Sequence, residues 1–457
     1  MNIYIGVEIS VRELDSSLLL ATLAASKGHQ VIVSDLESIT KGISSGLLAP
    51  GIFHAKSLTP ADHKIARHQA MIDKGFMITS IDEEGGLDIP GYEEFCKVRY
   101  SEKTISQSSA VFAWGPEDVE TLKNVYAKHS QKIFKTGSPR ADLWKSLFFK
   151  YWGKPKSAPT KPFLLISSNM GLANNANPFF KVLKSKKISG YYERDPKLFK
   201  RDMGRVGEDF LRTYAFIEAI QYLAANNNGY DIVLRPHPSE DIEAWKFYLE
   251  DIPNIHVIRE GSISAWVNNA FAVMHNRCTT ALEATISNKP VVTYIPFKNM
   301  QFSDAPSNKI GEIVQTPEEL LEKVNKIFED SKSIEFKKNI DQIPQAVSNK
   351  IYIDENELSA QKIVNVWDSL LKNSFYNSSN WKKFKWLLRV YKIRKMIGKA
   401  RRSLLGNFHK DNNKFPILKK NDIKKRVSKL QNVLNINKIE CELLSDRTIL
   451  IKPKNFD

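Results

Sequence analysis

Only three cysteines occur in 457 residues, Cys96, Cys278 and Cys441, far apart and without a companion histidine pattern. That spacing argues against a zinc site or a disulfide framework and fits a reducing compartment. Long apolar runs are missing too: no window approaches the roughly 18 uninterrupted apolar residues of a bilayer-spanning helix. The opening MNIYIGVEIS has no basic n-region, no long apolar stretch and no small-residue cleavage site, so a cytoplasmic protein is expected. There is no P-loop, GxGxxG fingerprint, HExxH helix or GxSxG elbow, and His29, His54, His63 and His68 have no metal-ligand spacing. No internal repeat of fixed period is found. Acids are in deficit: 67 Lys and Arg against 51 Asp and Glu give a formal charge of +16, a surplus that usually faces phosphate, nucleic acid or an anionic membrane. Much of it is local, because the stretch from Trp381 to Arg402 holds ten basic residues and no acid.

What remains is the composition of a soluble globular protein, 42% apolar and 26% charged, long enough for two domains with separate cores. The chain opens as a β-α-β unit: IYIGV, then a helical stretch with Leu14, Leu18, Ala21 and Leu23 to Ala25 at helical spacing, a stop at Gly28, and the strand QVIVSD. Further strands are predicted at GIFHA, FMITSID, AVFAWG and KIFKTG, and after the Pro- and Lys-rich linker YWGKPKSAPTKP at PFLLISSN, YDIVLRPHP, NIHVI, AFAVMHN and PVVTYIP. Alternation with helices predicts parallel sheets. The expectation is therefore an α/β chain of two Rossmann-like domains with a cleft between them, spanning 1–150 and 151–373, and a basic appendage over 374–457.

Five stretches carry candidate chemistry. In SIDEEGG, Asp82, Glu83 and Glu84 end an apolar strand and meet Gly85 and Gly86; alternation would send Asp82 and Glu84 to one face and Glu83 to the other. Carboxylates sharing a site split their pKa values, the arrangement of a nucleophile or base beside an acid. A solvated acidic turn is the plainer reading. In VEISVRELD, Arg12 and Glu13 sit at the end of the first strand, where Arg12 could clamp a sugar carboxylate or simply pair with Glu13 or Asp15. Arg140 in KTGSPRADLW is another candidate anion contact. In LRPHPSED, prolines stiffen a strand exit that carries Arg235 and His237. In VMHNRCTTALEATISNKPVV, His275 and Asn276 precede a helix opening at Thr279 or Thr280, with Glu283 one turn in. A helix start binds phosphate, and Glu283 could accept from ribose hydroxyls, although Thr280 with Glu283 equally fits a capping box.

Taken together, VEISVRELDSSLLLATLAASKGH, SIDEEGG, TGSPRADL, LRPHPSE and HNRCTTALEATISNKPVV resemble the bacterial surface carbohydrate biosynthesis protein group over most of residues 1–370, and are more distantly similar to the retaining β-Kdo transferases of capsule and O-antigen assembly. The resemblance implies a GT-B fold, a CMP-Kdo donor, a nucleophilic acid just before a glycine, a His-Pro motif and a ribose-binding Glu. These fall on Glu84, His237-Pro238 and Glu283, although Glu-Glu-Gly stands where the relatives have Glu-Asp-Gly, which leaves the nucleophile open among Asp82, Glu83 and Glu84. The implied function is transfer of Kdo or a nonulosonate from a CMP-activated donor to a surface polysaccharide or lipid-linked glycan. CMP leaves as a monophosphate, so no metal and no cofactor are expected. A glycerol- or ribitol-phosphate transferase or a sugar-nucleotide 2-epimerase of the same fold is the alternative enzyme. A non-enzymatic RNA- or membrane-binding protein is the other alternative, but acids in the cleft repel nucleic acid, so no nucleic-acid partner is expected. In the tail, Trp381, Phe384, Leu388 and Tyr391 share a helical face flanked by Lys382, Lys385, Arg389 and Lys392, so residues 381–402 are expected to hold the enzyme on the anionic inner leaflet by that face of the first half only. Ile393, Met396, Ile397, Ala400 and Leu404 fall on roughly the opposite face, where a kink or packing on protein is expected.

Overall fold

The computed structural model describes residues 1–85, 92–193, 195, 197–298, 300, 305–333, 344–372, 379–404 and 415–454. The chain folds as two compact units: Met1–Leu87, Gly91–Leu143 and Ser348–Asp457 form the first, and Trp144–Val347 is the bulk of the second.

In unit one the strands β1 (Asn2–Val7), β2 (Gln30–Asp35), β3 (Ile52–Ala55), β4 (Met77–Ile81), β5 (Ala110–Ala113) and β6 (Ile133–Lys135) run parallel in the order β2-β1-β3-β4-β5-β6. Their apolar runs are buried on both sides, as helix-covered parallel strands require. The first crossover is the helix Ser10–Ser26, which buries Leu14, Leu18 and Ala21; Gly28, with φ +92, then turns the chain into β2. Strand order reverses at β1, so the carboxyl ends of β1, β3 and β4 border a switch point, where α/β sheets bind ligands.

The C-terminal segment belongs to this unit and is no appendage. The helix Ser359–Leu371 packs on Ser10–Ser26, and its first two N–H groups, of Ser359 and Ala360, donate to the carboxylate of Asp142 at 3.0 and 2.8 Å. Further on, β13 (Ile439–Ser445) and β14 (Thr448–Pro453) form an antiparallel hairpin, and β14 pairs antiparallel with β2, extending the sheet to eight strands among the described residues. The expected boundaries at 150/151 and 373/374 are thus replaced by a crossing at 143/144 and a return at 348.

The helix Trp381–Leu404 corrects a second expectation. Phe384 and Leu388 are buried in the core of unit one, beside Ile39, Ile43 and Leu48. Trp381 packs on that core and donates its indole N–H to Gln30 Oε1 at 2.9 Å, while Tyr391 lies under the Lys41 ammonium at 2.9 Å from the ring centre. The face expected to meet lipid meets protein. No helix among the described residues is long and apolar enough to cross a membrane.

Unit two is a six-stranded parallel sheet among the described residues, ordered β12-β11-β10-β7-β8-β9, built from β7 (Phe163–Ser167), β8 (Asp231–Arg235), β9 (Ile255–Val257), β10 (Ala272–His275), β11 (Val291–Tyr294) and β12 (Glu312–Val314). Order reverses between β7 and β10, so Ser167 and His275 end the two strands that flank the switch point. The long helix Lys197–Asn226 packs Phe216, Ala219, Ile220 and Leu223 into its core.

Candidate functional site

The acidic stretch of unit one does not continue as a strand. After Ile81 the chain turns, with Gly85 N–H donating to Asp82 O at 2.8 Å and Glu84 N–H to Asp82 Oδ1 at 2.9 Å. Glycine is required at 85, because a Cβ there would run into the Trp114 indole, whose Nε1–H donates to Asp82 O at 2.8 Å. Gly86 lies outside the described residues.

The three acids have different surroundings. Asp82, 3% exposed, is gripped bidentately by Arg99, Nη2 to Oδ1 at 2.6 Å and Nε to Oδ2 at 2.7 Å. Glu84 is shared between Arg99 Nη1 at 3.3 Å and Arg12 Nη2 at 3.6 Å. Glu83 donates its backbone N–H to Lys56 O at 3.0 Å, but no hydrogen bond reaches its carboxylate among the described residues, and Oε2 is buried. Burial first, then the negative field of Glu13, pushes the Glu83 carboxyl up to about 7, against the pull of Arg140 and Arg12. The alternation of faces expected of a strand does not apply, because residues 82–85 form a turn; Asp82 and Glu84 come together instead because both pair with Arg99.

Arg12, in the helix Ser10–Ser26, reaches Glu84, and Arg12 and Arg140, the latter in the short helix Pro139–Asp142, both act on Glu83 through their positive fields. Glu13 does not offer itself to a ligand. It is 1% exposed, and its Oε2 accepts the N–H groups of Glu8 at 2.7 Å and Ile9 at 3.1 Å, fastening the start of the Ser10–Ser26 helix. Lys56 stands over the same edge, 2.5 Å from Glu8 Oε2 and 3.7 Å from Glu13 Oε1. Sequence reasoning missed Arg99 and Lys56; Lys56 follows β3 directly, a strand-end signal that could have found it. It also missed Asp118, whose Oδ2 accepts the Trp114 N–H at 2.9 Å and whose carboxyl burial raises to about 7.

In unit two several candidates are spent inside the protein. Arg235, 9% exposed, donates Nη1 to Glu260 O at 2.6 Å and Nη2 to Gly261 O at 3.0 Å, with its guanidinium over Trp266, so it holds a turn. His275 is fully buried: Nε2 meets Thr293 Oγ1 at 2.8 Å, Nδ1 accepts the Cys278 N–H at 3.4 Å, and burial lowers its pKa to about 3, so it stays neutral. Asn276 is equally engaged, donating to Tyr294 O at 2.6 Å and accepting from Arg212 at 3.0 Å. Glu283 is 2% exposed and stands in the field of Arg235. The helix Thr280–Ile286 starts from Thr279 with no side-chain cap, so the Thr280–Glu283 capping box is not formed; Thr280 Oγ1 instead contacts Cys278 Sγ at 3.1 Å.

His237 alone of these is exposed, its Nδ1 sharing a hydrogen with Ser239 Oγ at 2.7 Å. Its loop is knotted by Glu240, a fully buried acid that accepts from Ser168 Oγ, Met170 N–H and His237 N–H through Oε1 at 3.1, 3.1 and 3.2 Å, and from Trp245 Nε1 through Oε2 at 2.6 Å.

Beside the switch point stands an arginine that sequence reasoning passed over. Arg277 has φ +53, a conformation costly for a residue with a Cβ. Both backbone groups are clamped: its N–H donates to Asn308 Oδ1 at 2.8 Å and its carbonyl accepts from Asn169 Nδ2 at 2.6 Å. Its Nε and Nη1 are buried without a hydrogen-bond partner, and burial together with Arg212 and Arg205 lowers its pKa to about 10. Asp209 forms an ion pair with Arg212, leaving cationic surplus at Arg277. Backbone strain spent on an unmatched guanidinium suits an anionic ligand.

No protein-family model and no curated protein matches the chain. Among solved structures, it is similar to a protein from Listeria monocytogenes assigned as a UDP-N-acetylglucosamine 2-epimerase (14% identity, 83% of this chain and 98% of that one, TM-score 0.49) and to a glycosyltransferase from Rickettsia africae (12%, 82% and 99%, 0.46). It is also similar to the wall teichoic acid polymerase TagF (12%, 72% and 73%, 0.40). Two Rossmann-like units, the first completed by the chain's C-terminal segment, are the components of a GT-B fold.

Proposed function

We propose that the protein is a glycosyltransferase that moves an acidic sugar, Kdo or a nonulosonate, from a CMP-activated donor to a glycan or lipid-linked glycan, with retention through a carboxylate nucleophile. The observation that carries this reading is Glu83, which follows β4 at the carboxyl edge of a parallel sheet: its carboxyl is raised to about 7 by burial, lies in the positive fields of Arg140 and Arg12, and has no hydrogen-bond partner among the described residues. Asp82 and Glu84 are already paired, so Glu83 is the carboxylate available for bond formation. In the proposed reaction a Glu83 oxygen bonds to the anomeric carbon as the bond to the CMP phosphate oxygen breaks, the electron pair leaving on phosphate. An acceptor hydroxyl then displaces Glu83 and gives its proton to a neighbouring base, with Glu84 the candidate. Arg12 and Arg140 would bind the sugar carboxylate. Unit two would supply the CMP site, with Arg277 on the phosphate and Glu283 on the ribose; arginine charge can neutralise a departing monophosphate without a metal.

The test is incubation with CMP-Kdo, CMP-nonulosonates and UDP-N-acetylglucosamine. CMP release from an acidic-sugar donor, unaffected by EDTA, is the expected result. Turnover of the UDP-sugar alone would replace this reading with epimerisation. Arg277→Ala is expected to weaken CMP binding by about 1.5–3 kcal/mol in calorimetry, the loss of a hydrogen bond to a charged group. Unchanged CMP affinity in that variant would remove the phosphate role.

A further inference from the structure

We propose that the Trp381–Leu404 helix docks the protein on an anionic lipid surface through the face opposite to the one its sequence suggests. Phe384 and Leu388, with Trp381 and Tyr391, are turned inward. That leaves a second apolar stripe facing out: Trp386 is 65% exposed, Ile393 56% and Ile397 63%, with half-buried Val390 between them. Positions 386, 390, 393 and 397 follow the i, i+4, i+7, i+11 spacing of one helical face. On the helical wheel Lys382 and Arg389 flank this stripe on one side and Lys383 and Arg394 on the other.

The charge pattern selects the occupant. The acids near the helix lie on its inward flanks and are taken: Lys385 pairs with Glu442 at 2.5 Å and Lys392 with Asp446 at 3.1 Å. Lys382, Lys383, Arg389 and Arg394 make no ion pair among the described residues, and the helix carries no acid. A second copy of the chain would oppose like charges. A nucleic acid would match the cations and leave Trp386, Ile393 and Ile397 against water. An anionic bilayer satisfies both, taking the apolar stripe below its headgroups and the cations at its surface. The helix is already anchored on the sheet by Phe384 and Leu388, so it need not fold on arrival.

The test is flotation of the full-length chain with phosphatidylcholine vesicles and with vesicles holding 30% phosphatidylglycerol as the probe. Truncating the tail would be a poor control, because β14 is paired into the sheet. Co-flotation with the anionic vesicles only, abolished at high salt, is expected. Replacing Trp386, Ile393 and Ile397 together by Ser is expected to cut partitioning at least about tenfold. Replacing Lys382, Lys383, Arg389 and Arg394 together by Gln removes about fivefold per charge. Both variants should melt at the parental temperature, since every changed side chain is on the surface. The proposal is overturned if the parental chain does not float, if it floats equally on neutral lipid, or if either variant floats like the parent. Dimerisation or RNA binding through this face without flotation overturns it as well.

Discussion

Glu83→Gln is expected to lower kcat for sugar transfer on the order of 10³-fold or more, while leaving CMP affinity and the fold intact. The change keeps the shape of the side chain and removes its nucleophile. It should also change how stability depends on pH, in a direction the raised carboxyl fixes. The Glu83 pKa is about 7 in the folded chain against 4.5 ordinarily, so between those values the folded state holds a proton the unfolded state has lost. Its contribution is complete below pH 4.5 and is lost as pH rises through 7. The Gln variant, which has no charge to bury, should therefore match the parent at acid pH and exceed it by about 1–3 kcal/mol at pH 8. Asp118, also raised to about 7, loses stability over the same window in both proteins, so the difference between them isolates Glu83. Glu84→Gln is expected to cost less activity, since Glu84 already shares two arginines. If Glu83→Gln transfers sugar at the parental rate and shows no gain at pH 8, the acidic turn is only a solvated one.

Arg99→Gln carries the largest expected cost in stability. It strands the Asp82 carboxylate, 3% exposed, without the two hydrogen bonds of 2.6 and 2.7 Å that now neutralise it. Breaking a buried pair from one side costs about 3–5 kcal/mol, whereas removing both charges is far cheaper. Denaturant midpoints should accordingly fall steeply for Arg99→Gln and recover most of the loss in Arg99→Gln/Asp82→Asn. A single variant with a parental midpoint would show that Asp82 finds another partner, and that Arg99 does not hold the turn that presents Glu83.

The strands nearest in sequence were the most legible. IYIGV, QVIVSD, GIFHA, FMITSID, AVFAWG and KIFKTG all became neighbours in one parallel sheet, because continuous apolar runs separated by helical spacing leave little else to build. The β13–β14 hairpin was read as part of a basic appendage because composition spoke louder than the alternation in IECELLS and TILIKP, and because its partner β2 lies more than 400 residues earlier. For the Trp381–Leu404 helix the period was right and the environment wrong. An apolar stripe meets protein or lipid with the same residues, and only the packing of Phe384 against Leu48 and Ile39 tells which. The acidic cluster was found from its strand-end position, but its division of labour was not, because Arg99 reaches Asp82 from a separate helix. In unit two, His275 and Asn276 looked like ligand contacts because a strand end is where ligands bind. Their side chains bond inside the protein, to Thr293 and the Tyr294 carbonyl, and Arg277, which stands between them and the helix in its strained conformation, was passed over.

The central claim, that Glu83 forms the bond to the sugar, is tested most directly by quenching the enzyme during turnover of the donor whose CMP it releases and mapping the intact mass by peptide. The account predicts an increase equal to one sugar residue, confined to the peptide that contains Glu83 and absent from Glu83→Gln. An adduct on Glu84 or Asp82, or CMP release with no adduct and inverted product, would contradict it.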